Sequence, residues 1–560
     1  MSTNIFLNIE SLLTSLNPFY YNVFIAKKQI GQTLPPYEIK IWYANNILLI
    51  IDPVMDIKKQ ILNIITNSKV HVLLLLVISS VLLFQNLHKG SLADFDEATY
   101  AQISRTIVET GNWTDLQWMG SNWFEKPPLV FWLTALNYKF FGVSTLTTRL
   151  WPALFGVLTI IAVYYLGLTM FRNKTVGFFS AGILLTSSQF LQMSRFFMLD
   201  VPVVFFITTT LLFYWLGKTK THHFFYLSAC MSGLAVLTKG LTGLIGPLII
   251  IFFIFCTKEY EKISWRTFSL SCLLFFAVTA PWHAIETIKF GSYFWEQFFN
   301  GQTLTILQSE HSLQNLPKMI YVDTLIYGFY WWVYLSAAAI FYYCAQFVIK
   351  KSQHLLFLLI WVAVIVTILF ITKINIPQYI LPIYPALALL AGLLLKDLTV
   401  PFKKTKLLPV GALIFIVIFT LRFHFPEALY CNTTFYNINQ YIDDATVLVH
   451  ESIPLHSGKN PGPLFYLGNQ RVKLDEIKNK YLNQKDAATL FVIKKKDFLE
   501  TTTFKEATIL FMDQTYILFT APENSAMRKN PQYAPAEQKS PLRYCYPYIT
   551  MWQYTTPLIY

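Results

Sequence analysis

HVLLLLVISSVLLF (His71–Phe84) is followed by DFDEATYAQISRTIVET (Asp94–Thr110). The first stretch is an unbroken apolar run of the kind that crosses a bilayer. The second sets Asp94, Asp96 and Glu97 into four positions and then takes up helical spacing. Some thirty residues after its start, FEKPP (Phe124–Pro128) adds Glu125 and Lys126. Carboxylates crowded where a chain leaves lipid are costly unless they do something there.

The chain of 560 residues is 54% hydrophobic and only 13% charged, against about 25% charged in an ordinary soluble domain. Its apolar runs are too long and too many for one soluble core. Windows of about 19 residues mark spans near 71–88, 150–170, 177–193, 200–216, 222–238, 241–256, 267–285, 325–347, 354–371, 378–395 and 408–422. That is about eleven, and up to about thirteen allowing for short or paired runs. Lysine and arginine fall in alternate loops: Arg172 and Lys174, Lys218 and Lys220, Lys258, Lys262 and Arg266, Lys350 and Lys351, and Lys396 through Lys406. The positive-inside bias makes that side cytoplasmic. The opposite, exported side then holds 89–149, 286–324 and everything after 423, so the +13 net charge is largely a topology signal. The basic residues form no continuous stripe, which argues against a nucleic-acid partner.

The organisation follows. Residues 1–54 are a tail without clear period, and MDIKKQILNIITNSKV (Met55–Val70) is a basic lead-in that suits translation from Met55. Residues 55–423 form the membrane domain, with the exported loop 89–149 as its chemical part. PLVFWLTALNYKFFG (128–142) reads as an amphipathic helix. Four β-rich runs, ATVLVH (445–450), PLFYLG (463–468), ATLFVIKK (488–495) and ATILFMDQTYILFTA (507–521), alternate with helix-compatible YNINQYIDDA (436–445) and LDEIKNKYLNQ (474–484), so 424–521 reads as a small α/β domain. Residues 522–560 are an irregular tail. Cys431 and Cys545 lie in the exported part, where a disulfide can form. No Cys/His spacing for zinc exists, no cofactor is required, and a divalent metal stays open.

On the exported side the span ends carry Asp94, Asp96, Glu97, Arg105, Glu125, Lys126, Arg195, Asp200, Lys239, Glu286, Glu296 and Lys373. A bundle gathers such ends into a polar cavity bounded by lipid. Lys126, Lys239, Arg195 and Lys373 are suited to an anionic group such as a phosphate. Asp96, Glu97 or Asp200 is suited to take a proton from an attacking hydroxyl. Asp96 and Glu97 also stand where acids favour the dipole of a helix N-terminus. His283, beside Trp282, reads as packing.

The order Asp96-Glu97-x-x-Tyr100-Ala101-x-Ile103, Gly111-x-Trp113, Phe124-Glu125-Lys126-Pro127-Pro128-Leu129, Arg195 before Met198-Leu199-Asp200-x-Pro202, Leu237-Thr238-Lys239-Gly240 and Tyr379-x-Leu381-Pro382-x-Tyr384-Pro385 resembles the bacterial aminoarabinose transferases and, more distantly, the dolichyl-phosphate-mannose protein mannosyltransferases. The resemblance runs from about 71 to 423. It implies a GT-C fold: a mainly α, polytopic membrane bundle with exported loops and an exported C-terminal domain. It also implies an inverting transferase of the bacterial inner membrane, acting on its exported face. The sugar moves from a polyprenyl-phosphate donor to a lipid, glycan or protein acceptor. By the same resemblance Asp96 and Asp200 are the functional acids, Glu97 accompanies them, Lys126 beside Glu125 contacts phosphate, and Tyr379 belongs to the donor site with Lys239 and Arg195. Thr99 and Trp123 stand where aminoarabinose transferases often have Arg and Tyr, and WEQFFNGQ (295–302) replaces their Glu-His pair. Sugar and acceptor therefore stay open. Two other readings are a lipid or sugar transporter, which is expected to show repeated halves and midplane charges, and a scaffold that merely displays the α/β domain.

Overall fold

In a computed structural model of the chain, residues 67–92, 96–259, 263–300, 317–372, 375–398, 446–451, 471–483, 489–512, 516–520 and 532–533 are described. Met55, Asp94, Lys373, the span near 408–422, the runs 436–445 and 463–468, the tail 1–54 and both Cys431 and Cys545 lie outside them. Helices come first in order: α1 (Ser68–Phe84), α2 (Asp96–Thr110), α3 (Leu129–Phe141), α4 (Thr145–Phe171), α5 (Lys174–Leu185), α6 (Ser188–Met193), α7 (Asp200–Thr219), α8 (His223–Lys239), α9 (Ile245–Thr257), α10 (Trp265–Phe290), α11 (Ser292–Phe299), α12 (Ile320–Gly328), α13 (Trp332–Lys350), α14 (Gln353–Ile371) and α15 (Tyr384–Leu398). A two-stranded hairpin, β1 (Gln117–Trp118) with β2 (Ser121–Asn122), sits in the loop between α2 and α3.

Among the described residues seven helical stretches are long and apolar enough to cross a membrane, and α1 and α5 are shorter apolar helices. Of the eleven runs, 71–88 is the shorter helix α1, 408–422 lies outside the described residues, and others differ locally. The run 177–193 breaks at Thr186 and Ser187 into α5 and α6. The runs 222–238 and 241–256 form α8 and α9, which a 3-10 turn at Gly240–Leu244 joins into one continuous helical stretch that doubles back, since Lys239 meets Asp200 at one end of α7 and Glu259 meets Lys218 at the other. The run 325–347 begins only at Trp332, after a break at Phe329–Trp331. The chain is thus an integral membrane protein, mainly α.

Short links with good caps fold the spans back on each other. Ser144 and Thr147 form a capping box at the start of α4, which satisfies two orphan amide donors. Asn173 caps α5 by accepting the Thr175 and Val176 amides. The two helices then touch backbone to backbone: a Cβ on Gly177 would lie 2.4 Å from the Tyr164 carbonyl oxygen. In lipid, small residues of this kind are what let helices approach. The centre is filled by large buried rings, Trp215, Trp361, Tyr164 and Tyr384 among them. Two of these are tied as well as packed: Trp361 Nε1 donates to the Pro382 carbonyl at 3.0 Å, and the Tyr384 hydroxyl to Gln189 Oε1 at 2.5 Å.

The C-terminal part is a six-stranded sheet of order β4-β3-β5-β7-β6-β8, with β3 (Thr446–His450), β4 (Arg471–Val472), β5 (Thr489–Lys494), β6 (Thr508–Met512), β7 (Tyr516–Thr520) and β8 (Gln532–Tyr533). Strand β3 is parallel to both β4 and β5, while β5, β7 and β6 run antiparallel in turn. The single run 507–521 of the sequence is therefore a hairpin. Helix α16 (Leu474–Leu482) packs Ile477 and Tyr481 on Leu448, Phe491, Ile493, Ile517 and Phe519.

Candidate active site

The chemistry-bearing residues meet where α1 and α8 end and α7 begins. Helix α2 starts at Asp96, with Asp96 and Glu97 in its first turn, as the dipole argument expects. Their side chains do different things. Glu97 is fully buried. Its Oε1 accepts Arg149 Nε at 2.7 Å and the Phe197 amide at 2.9 Å, and its Oε2 accepts Arg149 Nη2 at 2.9 Å. Arg149 spends its remaining donors on the carbonyls of Lys89 at 3.0 Å, Leu87 at 3.4 Å and Ser91 at 2.8 Å. Glu97, expected among the catalytic residues, is engaged by Arg149 and the Phe197 amide. Its carboxylate is the hub that binds α2, the start of α4 and the segment leading into α7.

Arg195, expected at the donor site, is engaged by backbone. Its guanidinium donates to the carbonyls of Leu82 at 2.7 Å, Leu83 at 3.1 Å and Gln85 at 2.7 Å. These are carbonyls at the C-terminal end of α1, which have no partner inside the helix. Arg195 thus caps the first span. The sequence signal was available: a basic residue next to an apolar span pairs with backbone carbonyls as readily as with an anion.

The rest of the predicted set does come together. Lys239 Nζ, at the end of α8, lies 2.6 Å from Asp200 Oδ1 at the start of α7. The same ammonium sits 5.0 Å from the centre of the Tyr379 ring, within cation–π range. Asp96 feels Lys126, Lys239, Asp200 and Glu125 together, so all five belong to one electrostatic cluster. Lys126 also donates to the Glu125 carbonyl at 3.2 Å. The protein packed around Asp96 raises its carboxyl above the ordinary carboxylate range, against the pull of Lys126 and Lys239 and helped by Asp200 and Glu125. Burial likewise lowers the Lys126 ammonium, opposed by Glu125 and Asp96. Three carboxylates and two ammoniums leave the cluster at a formal −1 when all are ionised. Crowded acids with one raised pKa and a cation beside them are the arrangement of a general base next to an anion site.

Two residues outside the predicted set take part. Tyr100 follows Asp96 by four, on the same face of α2, and its hydroxyl interacts with Asp96, Glu125, Asp200 and Tyr379. The spacing from Asp96 was a legible signal. Arg149 was legible only as a lone charge at the entry of an apolar helix. Glu286 stands elsewhere: it is buried beside Asp115 and Lys289, where Lys289 Nζ holds Asp115 Oδ1 at 2.6 Å. Arg105 pairs with Glu109 at 2.6 Å, and Glu296 is exposed. His283 donates to or accepts from no acid; its Nδ1 lies 2.8 Å from the Thr279 carbonyl oxygen and its ring stacks on Trp295. Among the described residues no group of three or more His, Cys, Asp or Glu side chains converges as a metal site.

The chain is similar to several known proteins. Residues 69–294 match the family model of dolichyl-phosphate-mannose-protein mannosyltransferases. A protein of Aquifex aeolicus is 30% identical over 57% of this chain and 63% of its own length. The undecaprenyl phosphate-alpha-4-amino-4-deoxy-L-arabinose arabinosyl transferase of an Enterobacter species is 26% identical over 53% and 54%. The chain thus spans between half and two thirds of the length of these relatives. The crystal structure of ArnT from Cupriavidus metallidurans bound to undecaprenyl phosphate superposes with a TM-score of 0.59 at 18% identity, covering 80% of this chain and 97% of that one. The chain is thus a polytopic membrane protein with a GT-C-type fold, similar in sequence to the aminoarabinose transferases and to the family model of dolichyl-phosphate-mannose-protein mannosyltransferases.

Proposed function

We propose that the protein transfers a sugar from a polyprenyl-phosphate donor to a lipid, glycan or protein acceptor on the exported face of the bacterial inner membrane. The observation that carries this reading is the Asp96, Lys126, Asp200, Lys239 cluster at the ends of spans, beside Tyr379. The donor lipid reaches the site from the bilayer. Lys126 and Lys239 stabilise the phosphate as charge develops on it. Asp96 takes the proton of the acceptor hydroxyl or amine as it attacks the anomeric carbon, and the sugar–phosphate bond breaks with its electron pair leaving on the phosphate. Asp200 holds Lys239 in place through their ion pair. Attack opposite the leaving phosphate inverts the anomeric centre. The relatives named for undecaprenyl-phosphate-linked aminoarabinose support this donor class, and the loop-charge asymmetry supports the exported face. The sheet over 446–520 is assigned to an exported domain that guides the acceptor.

The test is sugar transfer in membranes from radiolabelled donor lipid. Asp96→Asn and Lys126→Ala are each expected to lower turnover by about 100-fold or more at normal expression. Near wild-type turnover in both would sink the site assignment. Lipid mass spectrometry of a deletion strain, asking which product loses a pentose- or hexose-sized unit, identifies the acceptor.

A further inference from the structure

Tyr100 is 5% exposed, and three aromatic rings fix its position edge-on: Phe131 at 5.4 Å, Trp123 at 6.1 Å and Phe197 at 6.1 Å between centroids. Such pairs define one ring orientation. The ring is therefore held as firmly as any core side chain, yet it is not a core side chain at its tip. No described residue hydrogen-bonds its hydroxyl, whereas a buried tyrosine hydroxyl in a packed interior normally finds a partner. The hydroxyl instead lies within electrostatic reach of Asp96, Glu125, Asp200 and Tyr379. A ring held this firmly one helical turn after Asp96, with its O–H unpaired, points to a partner that arrives with the substrate.

The charge balance says what that partner is. Lys239 is already engaged by Asp200, and Lys126 sits in the field of Glu125 and Asp96. With the cluster at a formal −1, the three carboxylates offset part of the pull of the two ammoniums on an incoming phosphate. A neutral donor adds a hydrogen bond without adding repulsion. Burial and the nearby Asp96, Glu125 and Asp200 carboxylates keep the phenol protonated, so it can give a hydrogen bond but not become a competing anion. We propose that Tyr100 is a substrate-contacting residue whose phenolic O–H donates to a phosphate oxygen of the polyprenyl phosphate. That bond tightens as the sugar departs, and no proton changes hands. This rests on the transfer reading above and adds a ligand-binding residue to it.

Tyr100→Phe removes one oxygen and keeps the ring that Trp123, Phe131 and Phe197 hold. The full chain is purified in detergent and its binding of undecaprenyl phosphate is measured alongside sugar transfer. The variant is expected to keep the wild-type melting temperature, to bind undecaprenyl phosphate about 10- to 100-fold more weakly, and to lose turnover by about the same factor. The loss in kcat is expected to exceed any rise in donor KM, because the bond is strongest at the transition state. A merely structural tyrosine would change stability and leave that split unmoved. Wild-type affinity and kcat in the folded variant overturn the proposal. If the wild type binds undecaprenyl phosphate but transfers no sugar, the transfer reading fails, while weaker binding by Tyr100→Phe still upholds the phosphate contact. If the wild type does not bind undecaprenyl phosphate, both fall.

Discussion

At the residue scale, adjacent acids have opposite fates. Asp96 stays in a charged cluster with its carboxyl raised, and Glu97 is consumed by Arg149 and the Phe197 amide. Their chemistry predicts different phenotypes. Asp96→Asn is expected to lower turnover by about 100-fold or more with little change in melting temperature. Arg149→Met leaves a buried carboxylate unpaired, a situation that costs about 3–5 kcal/mol, so its signature is loss of folded protein in detergent thermal denaturation. A stable, inactive Arg149→Met would contradict the hub. The pH profile follows from the same shifts. The proposed mechanism needs Asp96 ionised and Lys126 protonated. With Asp96 raised, the acid limb of kcat/KM lies above the ordinary carboxylate range. With Lys126 lowered, the alkaline limb falls before an ordinary lysine would titrate. A bell narrowed from both sides is expected, and Asp96→Asn is expected to remove its acid limb from whatever activity survives.

At the element scale, the site depends on where helices stop. Lys239 is the last residue of α8, and the next residue, Gly240, has φ of +55° and ψ of −126°, a region essentially closed to residues with a Cβ. That turn converts α8 into the 3-10 link to α9 and leaves the Lys239 side chain beside Asp200. Gly240→Ala is expected to cost about 1–3 kcal/mol in strain. It should also reduce turnover more than stability alone explains, since the Lys239 ammonium moves with its backbone. Comparing activity per folded molecule with the wild type checks this. Arg195 works at the same scale from the other direction: by filling the carbonyls at the end of α1, it fixes the end of the first span to the segment before Asp200.

At the scale of the whole molecule, both ends of α7 are informative. Asp200 opens it among the reactive residues. Lys218 closes it with a carboxylate, Glu259, and with Gln353 Oε1 at 2.8 Å. Twenty residues separate these ends by about 30 Å, the thickness of a hydrocarbon core. The sidedness inferred from loop charge therefore predicts that Ser121 and Lys220, both exposed, face opposite compartments. In a background with the native cysteines replaced, Ser121→Cys is expected to react with a membrane-impermeant maleimide in cells permeabilised only at the outer membrane. Lys220→Cys is expected to react only after lysis. The reverse labelling would invert the assigned topology.

The sequence by itself determined the fold class, because length and apolarity of a run decide whether it can cross a bilayer, and neither depends on its neighbours. It also determined which span ends carry charge, and the i,i+4 relation of Asp96 and Tyr100. Only the tertiary structure decided how those charges divide. Asp96, Lys126, Asp200 and Lys239 share a field, whereas Glu97 and Arg195, equally charged and equally near in sequence, are taken by Arg149 and by the carbonyls of α1. The reason is that an ionised side chain beside a membrane span must find a partner, and partners 52 and 113 residues away are chosen by how helices cross, which no local pattern records.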